Sequence, residues 1–449
     1  MNLSLAEVKQ ATGAEWLGGR DNIAAHAQGW SIDTRTLALG DVFFAIRGER
    51  FDGHAFTKTA LEQGALAAVV SELSEERPLL KVADTLDALQ RLSQWARRRW
   101  GKPVVAITGS AGKTSTKDIV SDLLAVRLRV GKTTGNLNNH IGLPLTLLRI
   151  PDDAEVAVVE MGMNHAGEIR QLAALAEPQF GLVTNVGYAH VESFDSIEGV
   201  AAAKRELIES LPPAGVAILN ADDELVRKFR EVHVGHTLTY GFAGDADIRA
   251  TEVEIHAEGV AFTVNGVRFH SRLTGRHSVS NVLAGLAVAS LFGIAFSELT
   301  DLVSGLTPGK MRGERSHWRG ITILNDSYNS NPEAARQMLD VLASEAAVRR
   351  VAVLGEMLEL GSMSETLHRE LGSYAARAGV NALVGIRGAA AFIVEEAKRA
   401  GMSERHIYFF DDPDSAGDFL RGWVRPGDAI LFKGSRGTQV ERALAKMVR

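Results

Sequence analysis

The sequence predicts an α/β protein built from successive sheet-and-helix units, and three observations carry that prediction. The first is the segment 104–124: a short β-branched run, Val104-Val105-Ala106-Ile107-Thr108, ends in a glycine turn and continues as a helical pattern from Lys117 through Leu124. The second is the alternation that follows. Apolar strand runs at 155–160, 181–186 and 215–220 are separated by helical patterns, the βαβ rhythm of a mostly parallel sheet. The third is the return of that rhythm after Pro308-Gly309, with strands expected at 321–325, 350–354, 382–386, 407–410 and 429–432. At 449 residues the chain exceeds one ordinary core, so several domains are expected.

Residues 1–82 form the first, small α/β unit. Ser4 is placed to cap a helix carrying Leu5 and Val8; a strand is expected at 41–46, a helix at 57–63 and a strand at 67–70. Leu86, Leu89, Leu92 and Trp95 recur at helical spacing and predict a helix over 84–100 that leads into the strand at 104, which sets a boundary near 83. Residues 83–312 form the central, P-loop unit with a parallel sheet. Within it, 247–271 turns to alternation with the hairpin dipeptide Asn265-Gly266, and 277–292 closes the unit as a long helix. Residues 313–449 form a smaller Rossmann-like unit. No GxGxxG follows its first strand, so it need not hold a dinucleotide.

Composition narrows the function. A hydrophobic share of 45% and a charged share of 23% belong to a soluble globular protein. Cysteine is absent, which excludes disulfide scaffolds, thiol catalysis and thiolate zinc sites. The start, Met1 to Glu7, has no apolar stretch of signal-peptide type, and the apolar run 284–296 is too short to span a bilayer and suits a buried helix. A cytoplasmic location with no membrane partner is expected. The net charge of −6 argues against a nucleic-acid partner, and the basic run Arg97-Arg98-Arg99 is expected to be a solvated helix end.

The glycine turn carries the chemistry. In Gly109-Ser110-Ala111-Gly112-Lys113-Thr114-Ser115 a strand, a tight loop and a helix N-terminus aim backbone N–H groups at one point, which suits a phosphate. Lys113 would reach the outer phosphates and the Thr114 hydroxyl a Mg²⁺ ion. The full Walker spacing would put a glycine at 107, which is Ile107; the loop is a shortened variant with Gly109 moved inward. Glu160 ends the next strand and is placed to hold Mg²⁺, directly or through water, or to cap a helix. His190 follows the strand after that, on the same sheet edge. Lys204 lies on a helix and, taken alone, is a surface charge. His277 and Asn281 are four apart on one helix face; they either present a ring and an amide to a purine or form a polar edge, which the sequence alone favours. The run Asn325-Asp326-Ser327-Tyr328-Asn329-Ser330-Asn331-Pro332 is polar enough to suggest binding. Neither a GxSxG elbow nor HExxH occurs, so hydrolase and zincin chemistry lack a foothold.

Together these segments resemble the Mur ligase family of peptidoglycan synthesis over nearly the whole chain. The resemblance rests on Asp33-Thr34-Arg35, the stretches 40–48 and 51–54, the phosphate loop, the Asn-rich stretch 135–144, Glu160-Met161-Gly162, the stretch 185–190, Ala203-Lys204-Arg205-Glu206, the stretches 325–332 and 354–361, and Lys433-Gly434-Ser435-Arg436. Stretches 135–142 and 325–332 are the specific ones. Within the family they point to the branch that joins D-alanyl-D-alanine to UDP-N-acetylmuramoyl-tripeptide. The resemblance implies catalysis by Lys113, Glu160, His190 and Lys204, with the first Mg²⁺ on Thr114 and Glu160 and a second associated with His190 and Lys204. It implies that Lys204 is carbamylated by CO₂, which turns a cation into an anion. It implies that His277, Asn281, Arg312 and Asp326 contact ATP, and that Ser31, Thr34, Arg35, Arg47, His54, Asn138, Asn139 and Asn329 bind substrate, the first five at its UDP end. A monomer is expected.

Thr34, Ala111, Arg205 and Glu356 depart from the family's common serine, asparagine, glycine and aspartate without removing a needed group. The competing identities are a ligase of the same mechanism acting on another acceptor, a P-loop kinase or regulatory NTPase, and an inactive binding module. An NTPase would need neither the first unit nor an amine acceptor. The preferred third residue of the stem peptide, meso-diaminopimelate or lysine, stays open.

Overall fold

A five-stranded sheet opens the chain, in the order Glu15–Leu17, Leu79–Lys81, Ala67–Val70, Asp41–Phe44, Gly29–Ser31; the computed structural model describes residues 1–48 and 51–449. All neighbours pair parallel except Glu15–Leu17 with Leu79–Lys81. Val42, Phe43, Phe44 and all of Ala67–Val70 are buried, as expected of parallel strands covered on both faces. The strands at 15–17, 29–31 and 79–81 are three residues each, too short to show a period in the sequence. Parallel order sends the carboxyl ends of Gly29–Ser31, Asp41–Phe44 and Ala67–Val70 to one edge.

The helix Thr85–Trp100 starts on Asp84, whose carboxylate accepts the Asp87 N–H, and stops at Gly101 with φ +65°. Its buried Leu89, Leu92 and Ala96 share a core with Val42, Phe44 and Leu80 of the first sheet. The solvated end expected for Arg97-Arg98-Arg99 holds for Arg98 and Arg99, which are exposed, and is corrected for Arg97. Arg97 is 3% exposed and donates from Nε to the Ala176 carbonyl at 2.7 Å, while Arg98 pairs with Glu177 and Arg99 with Glu7. A guanidinium can satisfy several carbonyls at a seam between units, which a composition argument does not reveal.

The central sheet has seven parallel strands in the order Ile248–Arg249, His236–Gly241, Val216–Asn220, Phe180–Val183, Val104–Thr108, Val156–Glu160, Val130–Lys132. Val104–Thr108 lies between strands reached on opposite sides, so the crevice at the carboxyl ends opens there. The hairpin signal is confirmed: Thr251–His256, Gly259–Val264 and Val267–Ser271 form an antiparallel sheet, and Asn265 and Gly266 turn it with φ +49° and +79°. The helix Arg276–Leu291 buries most of its surface, and its Gly285 lets it close onto Ile119 and Leu123 of the helix Lys113–Leu124. Among the described residues no helix is long and apolar enough to cross a membrane.

The third sheet has six strands in the order Glu314–Trp318, Ile321–Asp326, Asp428–Lys433, Arg349–Gly355, Ala382–Ile386, Ile407–Phe410, antiparallel only in its first pair. Glu314–Trp318 was not expected from the sequence, because its ERSHW has the composition of a loop. The mixed α/β class and the parallel sheets agree with the expectation.

Candidate active site

A cavity of about 570 Å³ lies over the carboxyl ends of the central sheet, between it and the third unit. Its floor is the glycine turn. Gly112 has φ +79° and no side chain caps the helix Lys113–Leu124, so the first N–H groups of that helix are left for an anion. The loop is held by neighbours rather than by itself. Ala111 N–H donates to Asn185 Oδ1 at 2.8 Å, Asn185 Nδ2 and Thr184 Oγ1 donate to the Ala111 carbonyl, and Ser110 Oγ donates to the Gly187 carbonyl at 3.0 Å. Asn331 of the third unit donates to the Ser110 carbonyl at 3.3 Å. Gly109 has φ +150°, and a Cβ there would overlap Thr184 Oγ1. Gly109→Ala is therefore expected to destabilise the protein by about 1–3 kcal/mol and to abolish nucleotide binding, read by thermal melts with and without ATP; an unchanged ATP-induced shift would refute the loop assignment.

Glu160 is 3% exposed at the tip of Val156–Glu160 and faces the loop. Its carboxylate accepts from Thr114 Oγ1 at 2.7 Å and from Asn138 Nδ2 at 2.8 Å, and its backbone N–H donates to Thr133 Oγ1. Among the described residues it has neither Arg nor Lys as an ion-pair partner. A buried carboxylate with only neutral donors, next to a hydroxyl and a phosphate cradle, fits a hard divalent cation such as Mg²⁺. Among the described residues no group of three or more His, Asp or Glu side chains is placed to hold a metal ion, so water and phosphate oxygens would complete its shell.

Two buried amines lie near enough for the charge of one to act on the other. Lys113 Nζ donates to the Gly109 carbonyl at 2.6 Å, and burial lowers its pKa, with Glu160 opposing and Arg312 assisting. Lys204, on the helix Ile197–Glu209 capped by Ser196, is 1% exposed. The surface charge suggested by its sequence position alone is thereby corrected. Burial, with the nearby Lys113 cation, holds its pKa well below the ordinary lysine value of 10.5. A lysine amine pushed toward its neutral form gains nucleophilic character.

His190 has φ +63° and lines the cavity; its Nδ1 lies 2.5 Å from Glu359 Oε2 of the third unit. That hydrogen bond lowers the Glu359 pKa. His277 is kept toward its neutral form by burial, and Asn281 Oδ1 accepts from Thr116 Oγ1 at 3.2 Å. A second cavity of about 460 Å³ adjoins the first through Ser115, His277, Asn281 and Arg312. Both residues of this helix face line the two cavities. Arg312 sits 4.0 Å over the Tyr328 ring, and Asp326 accepts from Lys433 Nζ, which also donates to the Asn329 carbonyl at 3.0 Å.

The remaining residues divide. Asn138, Asn139 and Asn329 line the main cavity, although Asn139 Oδ1 also accepts from Ile141 and Gly142 N–H and starts the helix Gly142–Leu148. Ser31, Thr34, Arg35, Arg47 and His54 lie elsewhere, at or beyond the carboxyl edge of the first sheet, and none lines that cavity. His54 bridges Asp52 at 2.6 Å and the Ser71 N–H at 2.9 Å. Hydrogen bonds from the His54 backbone and ring, then from Arg47, hold the Asp52 carboxyl well below the carboxylate range. Asn185, Asn331, Glu359 and Lys433 were not singled out by residue type, although each lies in a stretch that carried the resemblance; their partners are 74 to 221 residues away in sequence.

Family models described as the Mur ligase middle domain, the Mur ligase glutamate ligase domain and the Mur ligase family catalytic domain match residues 107–289, 311–436 and 26–99. The UDP-N-acetylmuramoyl-tripeptide–D-alanyl-D-alanine ligase of Bacillus subtilis is 36% identical over 94% of this chain and 93% of its own. That of Escherichia coli is 37% identical over 92% of each. Among solved structures, MurF from Acinetobacter baumannii superposes with a TM-score of 0.91 at 29% identity, covering 100% of this chain and 99% of the other. The MurF ligase from Thermotoga maritima in complex with ADP superposes at 0.83 with 29% identity, covering 94% and 97%. With matched models over all three sheets and relatives above 30% identity along the whole length, the chain belongs to the Mur ligase family.

Proposed function

We propose that this chain joins D-alanyl-D-alanine to UDP-N-acetylmuramoyl-tripeptide with ATP, giving the pentapeptide precursor, ADP and phosphate. The observation that carries the proposal is the convergence on one cavity of an open helix N-terminus, Lys113 and the Thr114–Glu160 pair, with the buried Lys204 outside the lining but within reach of the Lys113 charge. A carboxylate is a poor acylating agent, so ATP must activate it. The tripeptide's terminal carboxylate attacks the γ-phosphorus and ADP leaves; the dipeptide's amine then attacks the acyl carbon, loses a proton, and phosphate departs. Thr114 and Glu160 would hold one Mg²⁺, and His190 with Lys204 a second. Bound there, Mg²⁺ neutralises charge on the phosphate oxygens.

Lys204 takes part as its carbamate in this proposal. Its neutral amine adds to CO₂ and releases a proton, replacing a repelled cation by an anion. Lys113 stabilises that anion by charge, since its cation already depresses the protonation of Lys204. The second cavity beside His277, Asn281 and Arg312 takes the purine, and the carboxyl edge of the first sheet takes the UDP end. The third unit, reaching over the loop through Asn331, shields the acyl phosphate from water. In this reading the chain works as a monomer in the cytoplasm, where ATP is available.

The test is phosphate release from ATP with UDP-N-acetylmuramoyl-tripeptide, with and without D-alanyl-D-alanine. Turnover that needs both, and a product heavier by the dipeptide, is expected. Turnover without the dipeptide, or only with a shorter precursor and a single amino acid, would assign the chain to an NTPase or to another ligase.

A further inference from the structure

His190 and Glu359 belong to different units, yet each is shaped for the other. Both hold left-handed backbone angles, φ +63° and +65°, which cost a non-glycine residue energy and persist only where surroundings over-determine them. The surroundings of Glu359 do so. Met357 N–H donates to His368 Nε2 at 2.9 Å, and His368 Nδ1 donates to the Ser364 carbonyl at 2.7 Å. Leu358 N–H donates to Ser435 Oγ at 2.9 Å. On the other side Glu192 N–H donates to the Glu359 carbonyl at 3.2 Å, and Gly361 packs against Glu192 where a Cβ would crowd the backbone.

Stability does not explain this construction. The Glu359 side chain is 56% exposed, and an ion pair so open to water contributes little. The chemistry of the contact is more informative. A carboxylate only accepts, so the Nδ1 it meets carries the proton, and in the neutral ring Nε2 keeps its lone pair. Among the described residues Nε2 has no hydrogen-bond partner, and the ring lines the cavity.

We infer that Glu359 is a positioning residue for the ligase reaction: it fixes the ring plane and tautomer of His190 so that Nε2 faces the reacting groups, and it does so only while the third unit is docked. Docking of that unit thus prepares the central site as well as covering it. The inference rests on the reading of the chain as a ligase in which His190 serves the second cation.

The full chain with ¹⁵N-labelled histidine, free of metal, gives the first readout; the His190 ring signal among the 13 histidines is identified by its loss in His190→Gln. Wild type is expected to show Nδ1 protonated and Nε2 bare, and Glu359→Ala a mixture of tautomers. In phosphate release, Glu359→Ala is expected to lose about 10- to 100-fold in kcat, with KM for ATP little changed and the Mg²⁺ requirement raised. Glu359→Gln keeps an acceptor oxygen and should recover most of the rate. In a His190→Ala background, Glu359→Ala should cost nothing more. An unchanged tautomer in Glu359→Ala, or additive losses in the double variant, overturns the inference. Failure of the ligase reading would appear separately, as a wild type with no turnover, and the ring signal would still decide the positioning.

Discussion

Lys204→Ala is expected to lower ligation by about 10³-fold or more, the scale of losing a buried electrostatic group in a water-poor site. Phosphate release with all three substrates measures it. Lys204→Arg should be as inactive, because a guanidinium forms no carbamate and would place a permanent charge beside Lys113. Near wild-type rates in either variant would remove Lys204 from the mechanism. Stability should move the other way. The folded-state pKa of Lys204 lies below its unfolded value, so the unfolded chain binds more protons between the two. The penalty is full at low pH and is relieved as pH rises toward the ordinary value of 10.5. Lys204→Met is accordingly expected to raise Tm at neutral pH, by an amount that shrinks in melts recorded at increasing pH. A residue that weakens the fold while serving the site is the usual mark of function.

Glu160→Gln is expected to lower kcat by about 10²- to 10³-fold and to raise the Mg²⁺ concentration needed for half-maximal activity. The substitution keeps size and removes charge. It also loses a hydrogen bond: the carboxylate accepts from both Thr114 and Asn138, and an amide can accept on only one side. Its backbone bond to Thr133 is untouched, so melts should show a folded protein. A Mg²⁺ titration of phosphate release is the measurement, and an unchanged midpoint would exclude Glu160 as the cation's ligand.

The loop 109–115 and Glu160 were legible because a strand run, a glycine turn and a helix start are contiguous, and contiguity is what local pattern reports. Lys204 was legible only through resemblance, since Ala201-Ala202-Ala203-Lys204 has nothing that marks its lysine as buried. Arg97 was misjudged for the same reason, as its partners are carbonyls about 80 residues on. The strand Glu314–Trp318 was missed because its polar residues owe their conformation to pairing with Ile321–Asp326.

Local pattern thus sufficed for the α/β class, the order of the units, the phosphate loop and the carboxylate after it, because periodicity and turn chemistry act over a few residues. Tertiary structure alone decided which lysine burial pushes toward its neutral form, which glutamate meets His190, and that Asn331 and Lys433 join a site begun 221 and 107 residues earlier by Ser110 and Asp326. Burial, and the electrostatics that follow from it, depend on what the folded chain brings near, and no window along the sequence contains that information.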